Sequence, residues 1–216
     1  MLPRIEPNSS NDLPYHDSEI NRSIGPINGD FMCLDDAGPL LTAIDKARAQ
    51  GHVALLDAGC GTGYGLMDMK DQISFLAPID EDAIEAVGVS LTDFRTYLRG
   101  GWREKAHLTD GYIALRIGNL ATMSLAPEHF DVAYSYQVLL HNTDATLIIK
   151  NVMSSLRDGG VFYFDSLVEQ QEKLDKLTDS LDPAEWRIQS ESLTRQFIGW
   201  QDTRMMHKIL RASQTS

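Results

Sequence analysis

Apolar positions follow two rhythms along this chain. Short unbroken runs alternate with stripes spaced three and four residues apart, the marks of buried strands and of amphipathic helices. Residues 1–33 follow neither; they are polar, carry Pro3, Pro7, Pro14 and Pro26, and predict an irregular arm or lid. From about Asp36 to Gln50, Leu40, Leu41, Ile44 and Ala47 recur at helical spacing, and Gly51 supplies a stop. The run Val53–Leu56 predicts a strand ending at Asp57, and Leu66, Met67 and Met69 a following helix. Ala86–Ser90 predicts the second strand, residues 92–105 a helix, Tyr112–Ile117 the third strand and Phe130–Ser135 the fourth. Leu147, Ile148, Val152, Met153 and Leu156 form one stripe of a helix capped by Thr143 and ended by Gly159-Gly160. A fifth strand follows at Val161–Asp165, then a helix marked by Leu167, Gln171, Leu174, Leu177 and Leu181. The weak alternation from Trp186 to Ala212 suits a closing antiparallel pair.

Strands alternating with helices predict an α/β fold, a mostly parallel sheet with helices on both faces. The organisation expected is an arm or lid over residues 1–35 and one domain over 36–216, since 216 residues suffice for one well-buried core. A formal charge of −12 without any Lys/Arg-rich run argues against nucleic-acid or anionic-membrane partners. It suits cationic or neutral small substrates. Cys33 and Cys60 suggest neither a disulfide framework nor a metal site. With no apolar signal core and no membrane-length apolar run, a cytoplasmic location is the simplest expectation.

The chemistry concentrates in Asp57-Ala-Gly59-Cys60-Gly61-Thr62-Gly63, where a strand delivers one carboxylate into three alternate glycines that open a helix. Glycine tolerates positive φ and lets a ligand come close to the backbone. A strand, such a turn and a helix N-terminus together form a nucleotide-binding arrangement. The dinucleotide pattern G-x-G-x-x-G fails in both frames, at Tyr64 and at Leu66, and no lysine follows the glycines until Lys70, which excludes a phosphate-cradling loop. An anionic Asp57 repels pyrophosphate but suits a ligand bearing an ammonium and a sulfonium.

This acid-x-G-x-G-x-G order resembles motif I of class I S-adenosylmethionine (SAM)-dependent methyltransferases, and the resemblance covers about residues 36–166. It implies a Rossmann-like fold with a seven-stranded sheet, SAM as cofactor and S-adenosylhomocysteine as product. It also implies that Asp57, Gly59, Cys60, Gly61 and Gly63 meet the cofactor. Ser90 stands where the family has a ribose-binding acid, followed by Leu91, and Asp93 is the substitute; the segment Lys70–Glu85 reads as an insertion beside the site. Gly118-Asn119-Leu120 is similar to the element that faces adenine, and Asn119 is otherwise a turn residue. Ser135 and Tyr136 close strand four at the cofactor. The segment around His141-Asn142-Thr143-Asp144 is similar to small-molecule methyltransferases. The tetrad of adenine N-methyltransferases is absent, and Ser135 replaces the carboxylate of metal-dependent catechol enzymes, so no metal is expected.

Methyl transfer starts from an activated leaving group, so positioning and exclusion of water supply most of the catalysis. A base is needed only when the acceptor arrives protonated. His141 is that base or a histidine that orients its loop, and Asp165 is a catalytic carboxylate or a helix N-cap. Tyr15, His16 and Tyr136 line a substrate pocket, or Tyr15 and His16 belong to an exposed arm. Arg95, Arg99, Trp102, Arg103 and Lys105 suit an anionic partner or, more simply, a solvated helix face. Two functions follow: a methyltransferase acting on a small molecule, or a non-catalytic protein that binds SAM or S-adenosylhomocysteine as a partner of another.

Overall fold

The computed structural model describes residues 24–35, 37–93, 112–139, 142–197 and 200–213. Seven strands form one sheet: β1 (Val53–Ala58), β2 (Ile84–Ser90), β3 (Ala114–Ile117), β4 (Phe130–Ser135), β5 (Leu156–Leu167), β6 (Trp186–Phe197) and β7 (Trp200–Arg211). Their order is β3-β2-β1-β4-β5-β7-β6. Every pairing from β3 through β5 is parallel, and β7 runs antiparallel to both β5 and β6. The Rossmann-like seven-stranded expectation is met, closing pair included. The order reverses between β1 and its two neighbours β2 and β4, which opens a crevice at their carboxyl ends.

Strand alternation sends successive side chains to opposite faces, and two apolar clusters result. Leu55, Tyr134, Val161 and Tyr163 meet helices α1 (Ile24–Asp35), α2 (Gly38–Gln50) and α3 (Tyr64–Leu76). Leu56, Ala133, Phe162 and Phe164 meet α4 (Ala145–Ser155) and α5 (Gln171–Asp179). Strands buried on both faces explain the unbroken apolar run Val53–Leu56 of β1 and the full burial of β4, whose Asp131 accepts the Ala54 N–H at 2.8 Å.

Four local expectations need correction. Residues 24–33, expected in an irregular arm, belong to α1, whose Ile24, Ile27, Phe31 and Leu34 are all buried. Pro26 is tolerated because it falls in the first turn, where its missing N–H has no helical partner to lose. Asn28 Oδ1 then accepts the Leu40 N–H at 2.7 Å, so α1 caps α2. Second, Lys70–Glu85 is not an insertion beside the site. It is the end of α3, a short turn and a 3-10 segment leading to the amino end of β2, the edge opposite the crevice.

Third, the helix before β5 ends at Ser155, its N-cap position is Asp144 rather than Thr143, and Leu147 on its predicted stripe is 53% exposed. Gly159-Gly160 lie within β5, where Phe130↔Leu156 is followed by Val132↔Val161, a bulge on the β5 side. Gly159 takes φ 71°, and a Cβ on Gly160 would sit 2.9 Å from Phe130 O, so both positions require glycine. Fourth, the helix after β5 is a 3-10 turn over Val168–Gln170 and then α5, with Leu181 beyond it. The helix expected over 92–105 lies largely outside the described residues.

Candidate functional site

The glycine turn hangs on the end of β2. The N–H groups of Gly59 and Cys60 both donate to Val89 O, at 2.8 and 2.9 Å, and Gly63 N–H closes on Cys60 O at 2.8 Å. Gly59, Gly61 and Gly63 have φ of 111°, 56° and 82°. A chain of L-residues does not hold three positive φ values in five positions, which is the physical reason for the spacing. Gly59 has a steric reason as well, since a Cβ there would fall 2.1 Å from Val138 Cγ2. Gly63 stands at the N-cap of α3, whose first-turn N–H groups lack helical acceptors and face this turn. Cys60 is buried against Gly88, where a Cβ would meet its sulfur at 2.7 Å. Packing accounts for Cys60.

Asp57 pairs with Tyr134 across β1 and β4, and the Tyr134 hydroxyl donates to Asp57 Oδ2 at 2.8 Å. The carboxyl therefore has a hydroxyl partner inside the fold. Burial pushes it up to about 7, against the opposing pull of that hydrogen bond. The same burial, with the carboxyl beside it, pushes the Tyr134 phenol well above its ordinary value. No ion pair reaches Asp57 among the described residues. Ser135 Oγ donates to Ala58 O at 2.7 Å and ties the ends of β4 and β1 together.

Beyond β4 the chain enters a loop at Gln137, a non-glycine residue with φ 62°. Its N–H donates to Asp165 Oδ1 at 2.7 Å, while Arg204 Nη1 reaches Asp165 Oδ2 at 3.0 Å. Asp165 is completely buried, and burial raises it to about 6 against the stabilising N–H and guanidinium. The expected N-cap role is absent: Leu167 precedes the next helical turn. The Tyr136 hydroxyl donates to Asp30 Oδ2, its ring meets Phe31 edge-on, and Arg204 lies 6.0 Å from its centroid. Helix α1 thus forms a wall of the crevice.

The outer part of the candidate site lies where β2 and β3 end. Ser90 is buried, with Ser90 O accepting Gly118 N–H at 2.9 Å, and Leu91 beside it is 69% exposed. Asn119 Oδ1 accepts the Ala121 N–H at 2.9 Å, a turn geometry that still leaves the oxygen a second lone pair. Leu120 is buried below it. Asp57, Gly59 to Gly63, Ser90, Leu91, Asn119, Leu120, Ser135 and Tyr136 therefore share one edge of the sheet. His141, Tyr15, His16 and the basic tract from Arg95 to Lys105 lie outside the described residues. Among the described residues no cluster of His, Cys, Asp or Glu is suited to a metal, and no helix is long and apolar enough to cross a membrane.

Sequence reasoning missed Tyr134, Val138, Arg204 and Asp30. Tyr134 and Val138 become significant only once β4 lies beside β1, and Arg204 arrives on an antiparallel strand nearly 40 residues beyond Asp165. Asp30 had a signal, the i, i+3, i+7, i+10 spacing of Ile24, Ile27, Phe31 and Leu34 around it.

The methyltransferase domain family profile matches residues 49–211. A Mycolicibacterium smegmatis protein named a probable S-adenosylmethionine-dependent methyltransferase is 29% identical over 110 residues, half of this chain and 35% of that protein. The chain thus spans about a third of the length of this curated relative. A Listeria monocytogenes structure described as a class I S-adenosylmethionine-dependent methyltransferase superposes with a TM-score of 0.59 at 18% identity, covering 91% of this chain and 63% of that one. The YcgJ protein of Bacillus subtilis superposes with a TM-score of 0.54 at 11% identity, covering 81% and 98% of the two chains. At such identities the structural likenesses establish the fold.

Proposed function

From the premise that the chain belongs to the methyltransferase domain family, whose cofactor is SAM, we propose that it transfers a methyl group from SAM to a small-molecule acceptor by in-line displacement. The observation that carries this reading is the three-glycine turn beside Asp57 at the switch point of the sheet. The buried Asp57 carboxyl has a hydroxyl and no cation against it among the described residues, and a ligand ammonium supplies that cation. The glycines admit the ligand to the backbone, Ser90 offers a hydroxyl to the ribose, and Asn119 offers its remaining lone pair to the adenine amino group. Leu91 and Leu120 flank the base. SAM contributes a methyl group on a sulfonium, a leaving group already activated.

The remaining work is orientation and exclusion of water. Ser135 and Tyr136 hold the end of β4 against the turn and α1. Asp165 acts as a positioning residue, gripping Gln137 N–H and the Arg204 guanidinium and so anchoring the chain where it leaves β4. His141, six positions beyond Ser135 in the sequence, serves as base for an acceptor that arrives protonated. The net charge of −12 disfavours polyanionic acceptors and supports a small one. Incubation with methyl-labelled SAM and separated cell fractions tests the acceptor class. Label should accumulate in the low-molecular-weight fraction; label confined to RNA or protein would reject the small-molecule reading.

A further inference from the structure

On the other face of the sheet, a recess of about 290 Å³ lies between α5 and strands β5, β7 and β6. Half of its lining is apolar, with Phe164, Ile188 and Ile209 from the strands and Leu174 and Leu177 from the helix. Three adjacent strands add one polar cluster. His207 Nε2 lies 2.8 Å from Ser166 Oγ, and His207 Nδ1 lies 2.8 Å from Ser190 Oγ. Register produces this grouping: His207 stands opposite Ser190 in β6 and opposite Phe164, two residues from Ser166, in β5.

Burial pushes His207 down to about 4, so near neutral pH the ring is uncharged and carries one N–H. One serine donates to the ring and the other accepts from it. The Phe164 ring stacks on the imidazole at 4.6 Å between centroids. The cluster is self-satisfied and brings no positive charge into the recess.

The helix side is acceptor-rich. Asp175 Oδ1 accepts from Gln171 Nε2 at 2.7 Å, and the Asp175 carboxylate lines the recess with its charge. Gln171 Oε1 is buried and has no hydrogen-bond partner among the described residues. Native structures leave few such atoms, and each calls for a donor. Apolar walls, an uncharged ring, a carboxylate and a donorless carbonyl oxygen together match an ammonium group on an apolar body.

We propose that this recess is a second ligand site, separate from the glycine turn, for a small primary amine with an aromatic or aliphatic body. The ammonium meets Asp175 and Gln171 Oε1, and the body lies on Phe164, Leu174 and Ile209. The net charge of −12 favours the approach of such a cation.

The test uses the full chain near neutral pH, with 2-phenylethylamine as probe and 2-phenylethanol and phenylacetate as matched controls, read by saturation-transfer NMR and calorimetry. The amine should bind about tenfold more tightly than the alcohol, with phenylacetate silent, as expected for a charge-assisted contact. Asp175→Asn, an isosteric change at an exposed helix position, should weaken the amine about tenfold while S-adenosylhomocysteine binding stays unchanged. Ile188→Trp should fill the recess and abolish amine binding. Equal binding of amine and alcohol, amine affinity indifferent to Asp175→Asn, absence of amine binding, or competition between the amine and S-adenosylhomocysteine would each overturn the proposal.

Discussion

Asp57 carries two opposed demands. The proposed site asks it for a carboxylate, yet the folded protein buries it against the Tyr134 phenol, and its proton is held up to about 7. The consequence for stability has a definite sign. A carboxyl whose folded value exceeds the ordinary 3.8 binds its proton more tightly in the folded state, so stability is full below about pH 4 and falls as pH rises to about 7. The loss across that window is on the order of 4 kcal/mol. His207, held down to about 4, acts oppositely and costs stability as pH falls below its ordinary 6.5. Only a comparison with a variant therefore isolates Asp57. Asp57→Asn should melt higher than the natural chain at pH 8 without ligand, with the difference vanishing at pH 4, and it should lose affinity for S-adenosylhomocysteine. Melting scans across that range read the first effect and titration the second. The residue type and place of Asp57 are visible in the sequence, because an acid ends an apolar run before the glycines. Its hydroxyl partner is not, because Tyr134 lies 77 positions away and meets it only through strand pairing.

Among the elements, the strands are the most legible, since β1, β2 and β4 are short, mainly apolar segments that are almost wholly buried. Helix α1 was hidden by its own composition. Gly25, Pro26 and Gly29 are poor helix formers, and the helix forms because Ile24, Ile27, Phe31 and Leu34 have a core to enter, tertiary packing overriding propensity. The bulge at Gly159-Gly160 is hidden for a related reason: two glycines end a helix or interrupt a strand equally well until the neighbouring strand is known. If α1 is part of the core, Phe31→Ala should cost about 3–5 kcal/mol. Phe31 packs at 5.6 Å from the Tyr163 ring and 6.0 Å from Tyr136, so the loss should be accompanied by weaker cofactor binding. Chemical denaturation measures the first; a loss below about 1 kcal/mol would return α1 to the status of a loosely attached arm.

For the whole molecule, the order of elements in the sequence already specified the alternating α/β plan, and the closing antiparallel pair followed from its weak alternation. What the linear order conceals is which strand ends meet. The parallel register sets Asp57 against Gly88 and Tyr134, and so brings the glycine turn, Ser90 and the end of β4 to one edge. The antiparallel return of β7 places Arg204 on Asp165 and His207 beneath α5, and neither is foreshadowed by a local motif. The three-glycine turn is the proposed SAM site. Its most direct test is calorimetric titration of S-adenosylhomocysteine and of NAD into the natural chain and into Gly61→Val, with circular dichroism to verify folding. Gly61 has φ 56°, a conformation a β-branched residue disfavours. S-adenosylhomocysteine should bind, stabilising the fold by about 2.7 kcal/mol at 100 times its dissociation constant. NAD should give no heat, and folded Gly61→Val should bind neither. Binding of NAD without S-adenosylhomocysteine, or undiminished affinity in folded Gly61→Val, would contradict the account.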